Sequence, residues 1–255
     1  KGGAVFNEDS ADVDFRVESD TGTHALFVQG SDGNVGIGTD TITNPYSQTP
    51  HTNVNINGTW GGVISFKLGG TEMGWIGQRS SGNSDMVLGA SSGQDLLFYT
   101  NGVNERMRID LNGHVTMPTQ PAFLARPTSN QDNIAINTDV TVVLGTELFD
   151  VGANFASNLF TAPVTGKYQI SFCLNLRNLD SAAAYYEVQI VTSNRNYNFI
   201  IDPDFGQDAV YWAISGSALC DMDASDTARF KVVQSGGTAQ TDISTESHFS
   251  GYLVA

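Results

Sequence analysis

Residues 160–174 read Phe160-Thr161-Ala162-Pro163-Val164-Thr165-Gly166-Lys167-Tyr168-Gln169-Ile170-Ser171-Phe172-Cys173-Leu174. From Tyr168 onward a large apolar side chain falls on every second residue, the period of a strand with one face in a core. Gln169, Ser171, Cys173 and then Asn175 take the other face, polar enough for solvent or a subunit interface. Gly166 suits a tight turn before the strand, and Pro163 a strand edge. Similar strand-like runs recur from Tyr185 to Thr192 and from Ser247 to Val254. About ten such strands, with turn signals between them, predict a two-sheet jelly roll over residues 118–255.

Composition extends the all-β reading to the whole chain. Of 255 residues, 27 are Gly and only 15% are charged. Long amphipathic helices favour Ala, Leu, Glu and Lys, and this balance does not. The 27 acidic against 12 basic side chains leave a net charge of -15, which argues against a nucleic-acid partner. Apolar runs fall well short of the roughly 20 residues of a membrane span, so membrane insertion is not expected. The chain starts at Lys1 without a signal-peptide pattern, as if it began inside a longer polypeptide. Cys173 and Cys220 are too few for a disulfide scaffold; they pair if their strands are neighbours, or stay as free thiols.

The halves differ in texture rather than charge, with -7 over residues 1–117 and -8 over 118–255. The stretch Met117-Pro118-Thr119-Gln120-Pro121 marks the join, because each proline favours extended backbone. In the first half Phe15-Arg16-Val17-Glu18 leads to Gly22, and Leu26-Phe27-Val28-Gln29 leads to Gly33, 11 residues later. Met107-Arg108-Ile109-Asp110 leads to Gly113 in a shorter copy. Each unit reads as a short strand, a polar turn with Gly at positive φ, and another strand. A unit of that size cannot bury an apolar face alone, so association with other chains is expected. Three parts follow: fibrous β stem repeats over 1–53, a β-meander, stem or knob segment over 54–117 that ends in a repeat, and a head over 118–255. Within the second, Ser81-Gly82-Asn83 is one of the expected turns.

Chemistry is sparse. Asp202/Asp204/Asp208 and Asp221/Asp223/Asp226 are the carboxylate clusters a glycan-degrading tailspike would need, but both lie in turn-like sequence where Asp is routine. The histidines are His24, His51, His114 and His248; His248 sits in a strand, a poor place for a general base. An enzyme is therefore not expected. For binding, Asn194-Arg195-Asn196-Tyr197-Asn198 reads as a hairpin tip with hydrogen-bonding and stackable groups, and Tyr211-Trp212 as a further platform or as core.

Two resemblances sharpen these expectations. Residues Asn7 to Ser19, followed by Asp32-Gly33-Asn34-Val35-Gly36-Ile37-Gly38-Thr39, resemble stem repeats of bacteriophage tail fibres, those of marine phages in particular. Asn104 to Asp110 with Gly113-His114-Val115 looks like a second copy, with His114 and Thr116 in place of the usual Asn and Gly. The second half resembles the globular head of complement C1q, a jelly roll shared with tumour-necrosis-factor-like proteins. Phe160-x-x-Pro163-x-x-Gly166-x-Tyr168 carries the likeness, with Ile170 where an aromatic is usual. Ser247-x-Phe249-x-Gly251-x-Leu253 matches the family's closing strand. The resemblances imply a homotrimeric fibrous stem with a C1q/TNF-like head, joined upstream to other tail proteins. They imply adhesion to a host-cell surface glycan or protein, from a virion. A secreted or cell-surface bacterial adhesin with the same parts is the alternative. C1q-like heads can bind calcium near the trimer apex, and by that resemblance Asp242 and Glu246 are the candidate ligands; the same acidic loops also read as simply solvated.

Overall fold

The computed structural model describes residues 12–43, 53–58, 61–78 and 85–255. Residues 7–11 of the fibre-like signature, His51 and the Ser81-Gly82-Asn83 turn lie outside them. The described residues form strands and turns, and none forms a helix long and apolar enough to cross a membrane. The chain divides into two compact units, Lys1–Thr116 and Met117–Ala255.

The described residues of the first unit form three small sheets. Strands β1 (Phe15–Val17), β2 (Leu26–Val28), β3 (Val35–Ile37) and β4 (Val54–Ile56) form one, in sequence order. Antiparallel pairing of β1 with β2 sets Phe15 opposite Val28 and Val17 opposite Leu26, so the two repeat strands are neighbours. Strands β5 (Val63–Leu68), β6 (Thr71–Gln78) and β7 (Met86–Ala90) form an antiparallel meander. Strands β8 (Leu96–Thr100), β9 (Asn104–Ile109) and β10 (Val115–Thr116) form the third sheet, with β9 central. Gly33 and Gly113 adopt positive φ, 68° and 88°, and each donates its N–H to the carbonyl that opens its turn, Gln29 or Asp110. Gly22 is not among the positive-φ residues. Its turn is closed differently: its N–H donates to Ser19 Oγ at 3.0 Å, and its carbonyl accepts from the Ser19 N–H.

The second unit is a sandwich of two sheets. Its strands are β11 (Ala122–Arg126), β12 (Val140–Thr141), β13 (Thr146–Val151), β14 (Phe155–Ala156), β15 (Leu159–Thr161) and β16 (Gly166–Leu179). There follow β17 (Ala183–Thr192), β18 (Asn196–Ile201), β19 (Ala209–Met222), β20 (Thr227–Gly236), β21 (Asp242–Ile243) and β22 (His248–Leu253). One sheet runs β13-β11-β22-β16-β19 with β21 added on β16; the other runs β14-β15-β20-β17-β18 with β12 added on β20. Among the eight principal strands the first pairs with the last (β11 with β22). Inside that pair nest β15 with β20, β16 with β19, and β17 with β18. Such nesting is one long hairpin wrapped so that its limbs alternate between two sheets, which is a jelly roll.

The alternation read at Tyr168 builds the core. Tyr168, Ile170, Phe172 and Leu174 are all buried, while Gln169, Ser171, Cys173 and Asn175 are half-buried on the outer face. Phe123 stacks on Phe155 and Phe160 at centroid distances of 5.0 and 4.7 Å, and Phe230 stacks on Phe172 at 5.0 Å. Each such pair adds about 0.5–1.5 kcal/mol beyond burial. Two glycines let these rings close together. A Cβ on Gly216 would meet Phe199 Cε1 at 2.6 Å, and one on Gly251 would meet Ile170 Cδ1 at 2.5 Å. Both cysteines are free: Cys220 points into the core and Cys173 to the outer face.

A buried carboxylate ties the loop after β20 to the end of β16. Asp180 Oδ2 accepts the N–H groups of Thr238 and Ala239, and Oδ1 accepts that of Ala182 at 2.8 Å. Burial pushes this carboxyl up, yet the backbone donors outweigh it and hold it below the ordinary aspartate value. Gly237 has φ 105° and lies so close that a Cβ there would meet Asp180 Oδ2 at 2.4 Å.

Candidate binding surfaces

The predicted site residues separate into distinct places on the jelly roll. Asn194 and Arg195 form the tip between β17 and β18, closed by Thr192 N–H donating to the Arg195 carbonyl at 2.9 Å. Asn194 Nδ2 donates to the Asp221 carbonyl and the Asp226 carboxylate, and Arg195 pairs with the Asp221 carboxylate at 2.8 Å. The tip is therefore held against the end of β19 and the turn that follows. Beside it Thr165, Lys167, Asn194, Asp221 and Asp223 line an open groove of about 350 Å³.

Tyr197 is not a stacking group at this tip. Strand alternation turns Asn196 and Asn198 outward and Tyr197 inward, against the core and Cys220. Burial pushes the Cys220 thiol up, so it is an unreactive core residue.

Tyr211 and Trp212 lie at the other end of the sandwich. Asp221 follows Tyr211 by ten residues on β19, a span of about 33 Å at the usual rise. By strand alternation the two aromatics leave β19 on opposite faces. Tyr211 pairs with Arg177 on the outer face, whereas Trp212 pairs with Leu176 on the inner face and packs on Phe205 at 4.6 Å. Tyr211 and Trp212 line a second groove, of about 200 Å³, with Asn175 and Glu246.

Asp242 and Glu246 do not make a calcium site within one chain. Asp242 is buried, with Oδ1 accepting the Asn133 N–H at 2.7 Å and Oδ2 accepting Asn178 Nδ2 at 2.8 Å. Glu246 is exposed. Among the described residues no three His, Cys, Asp or Glu side chains are grouped to hold a metal ion, and calcium needs 6–8 oxygen ligands. The acidic turns are likewise occupied by the fold: Asp208 accepts from Ser181, and Asp226 accepts the Asp223 N–H.

One further surface was not singled out from sequence. On the outer face of β13-β11-β22, Leu124, Leu148, Phe149, His248, Ser250 and Tyr252 line a groove of about 500 Å³. Phe149 sits opposite Leu124, which sits opposite Ser250, in one cross-strand row; the next row holds Val151, Ala122 and Tyr252. The available signal was Tyr252, a large aromatic on the polar phase of its strand, opposite in phase to buried Phe249 and Gly251.

No protein-family model and no curated protein matches the chain. Among solved structures it is similar to the globular domain of zebrafish complement 1qA protein, at 17% identity over 53% of this chain and 98% of that one, with a TM-score of 0.39. It is also similar to murine APRIL at pH 8.0, at 10% identity over 53% of this chain and 99% of that one, with a TM-score of 0.41. The C-terminal unit is a jelly roll on the strength of its nested strand pairing.

Proposed function

We propose that this chain is the distal part of a homotrimeric bacteriophage tail fibre, in which a β stem carries a jelly-roll head that binds a glycan or protein on the host-cell surface. One observation carries the reading: the two units differ in whether they own a core. Every buried apolar side chain among the described residues lies in Met117–Ala255 except Phe27. The first unit leaves Val17, Ile37, Ile64, Phe66, Leu88 and Phe98 exposed. A unit with so little interior gains stability by associating with other copies, as a fibre stem does. In the head, Phe149, Tyr252 and Leu219 are each about half exposed around the half-buried polar side of β16, which supports a subunit interface there.

The receptor-binding part is the end of the head formed by Asn194, Arg195 and the groove beside them. Exposed amides and carboxylates suit polyhydroxylated or polar ligands. Three weak sites per fibre, multiplied over several fibres, give usable avidity. The fibre is thus a structural and adhesive component of a virion.

The test is binding of the fluorescently labelled intact chain to a panel of bacterial cells and to their extracted surface glycans. Binding to at least one strain is expected, with Asn194→Ala/Arg195→Ala lowering it tenfold or more at unchanged solution mass. Binding that this double substitution leaves unchanged would remove the tip from the receptor site, and no binding across a wide panel would count against adhesion.

A further inference from the structure

The groove beside Tyr211 is built from three segments of the head. β19 supplies Tyr211, β16 supplies Asn175, and the turn between β21 and β22 supplies Ser244 and Glu246. That turn is fixed on β16. The Ser244 N–H donates to the Asn175 carbonyl at 2.8 Å, and the Asn175 N–H donates to Ser247 Oγ at 2.9 Å. Asn175 Nδ2 donates to the Glu246 carbonyl at 3.0 Å. These bonds leave the Glu246 carboxylate exposed, with no hydrogen bond or ion pair among the described residues. On the same outer face, Arg177 stands two residues from Asn175 and opposite Tyr211. Its guanidinium is half-buried and likewise has no partner among the described residues. Asp242 lies opposite Arg177 on its other side, but accepts from Asn133 and Asn178 instead. Trp212, turned to the inner face, anchors this stretch of β19 on Phe205. Tyr211 is thereby presented with 70% of its surface open.

We propose that this groove is a second binding site of the head, for a single neutral sugar residue. A sugar ring offers an apolar C–H face and a rim of hydroxyls, each both donor and acceptor. Tyr211 supplies a flat apolar surface for the first. Arg177 donates and Glu246 accepts, so neighbouring hydroxyls satisfy both through charge-assisted hydrogen bonds. Same-face neighbours on a strand stand about 7 Å apart, so Asn175 and Arg177 bracket one ring. The groove holds about 200 Å³, less than the roughly 300–1,000 Å³ of a pocket for a drug-sized ligand. Charge decides the class of sugar. The net charge of -15 and the carboxylate in the groove disfavour an anionic ligand, and Arg177 disfavours a cationic one. The site lies toward the opposite end of β19 from the Asn194–Arg195 tip. It depends neither on that tip's role nor on the number of copies in the fibre.

The measurement is saturation-transfer NMR on the intact chain with a panel of neutral methyl hexosides and methyl N-acetylhexosaminides, and with a methyl glucuronide as the anionic counterpart. At least one neutral glycoside should bind, with a dissociation constant on the order of 1 mM, as a ligand of this size allows. Tyr211→Ala should abolish the signal, and Glu246→Ala should weaken binding about tenfold. Both should keep the wild-type melting temperature, because the two side chains are exposed. Asn194→Ala/Arg195→Ala should leave this binding unchanged, which separates the groove from the tip. Saturation transfer to none of the neutral glycosides, or transfer that survives both Tyr211→Ala and Glu246→Ala, would overturn the proposal. Stronger binding of the glucuronide would overturn it as well. So would a lower solution mass of the Glu246→Ala chain, which would give the carboxylate to a contact between copies.

Discussion

Asp180 shows how a single side chain can hold a loop. Its carboxylate is buried and receives three backbone N–H groups, two of them from the 238–239 turn. Asp180→Asn places an amide N–H₂ where a double acceptor is needed, and should cost about 2–3 kcal/mol, the worth of a charge-assisted hydrogen bond. Because the folded carboxyl lies below its ordinary value, its contribution is complete above the unfolded aspartate range and lost as pH falls through the folded value. Thermal melts against pH should show wild type and Asp180→Asn converging in acid and separating toward neutrality. A separation that persists in acid would mean the charge is not the cause. Gly251→Ala is a second residue-scale case. The added methyl would strike Ile170 and Phe123, and overpacking of this kind costs about 1–3 kcal/mol, readable as a lower denaturant midpoint with an unchanged slope.

At the scale of the element, β16 was legible and its surroundings less so. Four buried residues at every second position of Tyr168–Leu174 mark both the strand and its inner face. That reading needs only local periodicity. Residues 193–198 were legible as a hairpin tip from their turn chemistry, but the inward direction of Tyr197 depends on the register of β18 against β17. The split between Tyr211 and Trp212 follows from strand alternation once both are placed in β19. The groove of Phe149 and Tyr252 was out of reach, because its walls come from β13 and β22, which meet only through β11. The tip itself yields a prediction. Asn194→Ala/Arg195→Ala removes exposed contacts and one exposed ion pair, a change of less than about 1 kcal/mol in stability. Amide exchange at Asn196–Asn198 should rise while the melting temperature holds; a large drop in melting temperature would make the tip part of the fold's support.

For the whole molecule, the decisive contrast is between a unit with a large core and one whose described residues bury a single large apolar side chain. The head gathers Phe123, Phe155, Phe160, Phe172, Phe230 and Phe249 into one interior. Among the described residues of the first unit, Phe27 is the one buried large apolar side chain. Under conditions that separate the copies, limited proteolysis should therefore remove residues before Met117 and spare a fragment close to Met117–Ala255. Equal resistance of both units under those conditions would show that the stem has stability of its own. The measurement that tests the central claim most directly is the solution mass of the intact chain by light scattering across a dilution series. A trimeric fibre predicts three times the chain mass of 27.3 kDa, and a stable species of 27.3 kDa at every concentration would contradict it.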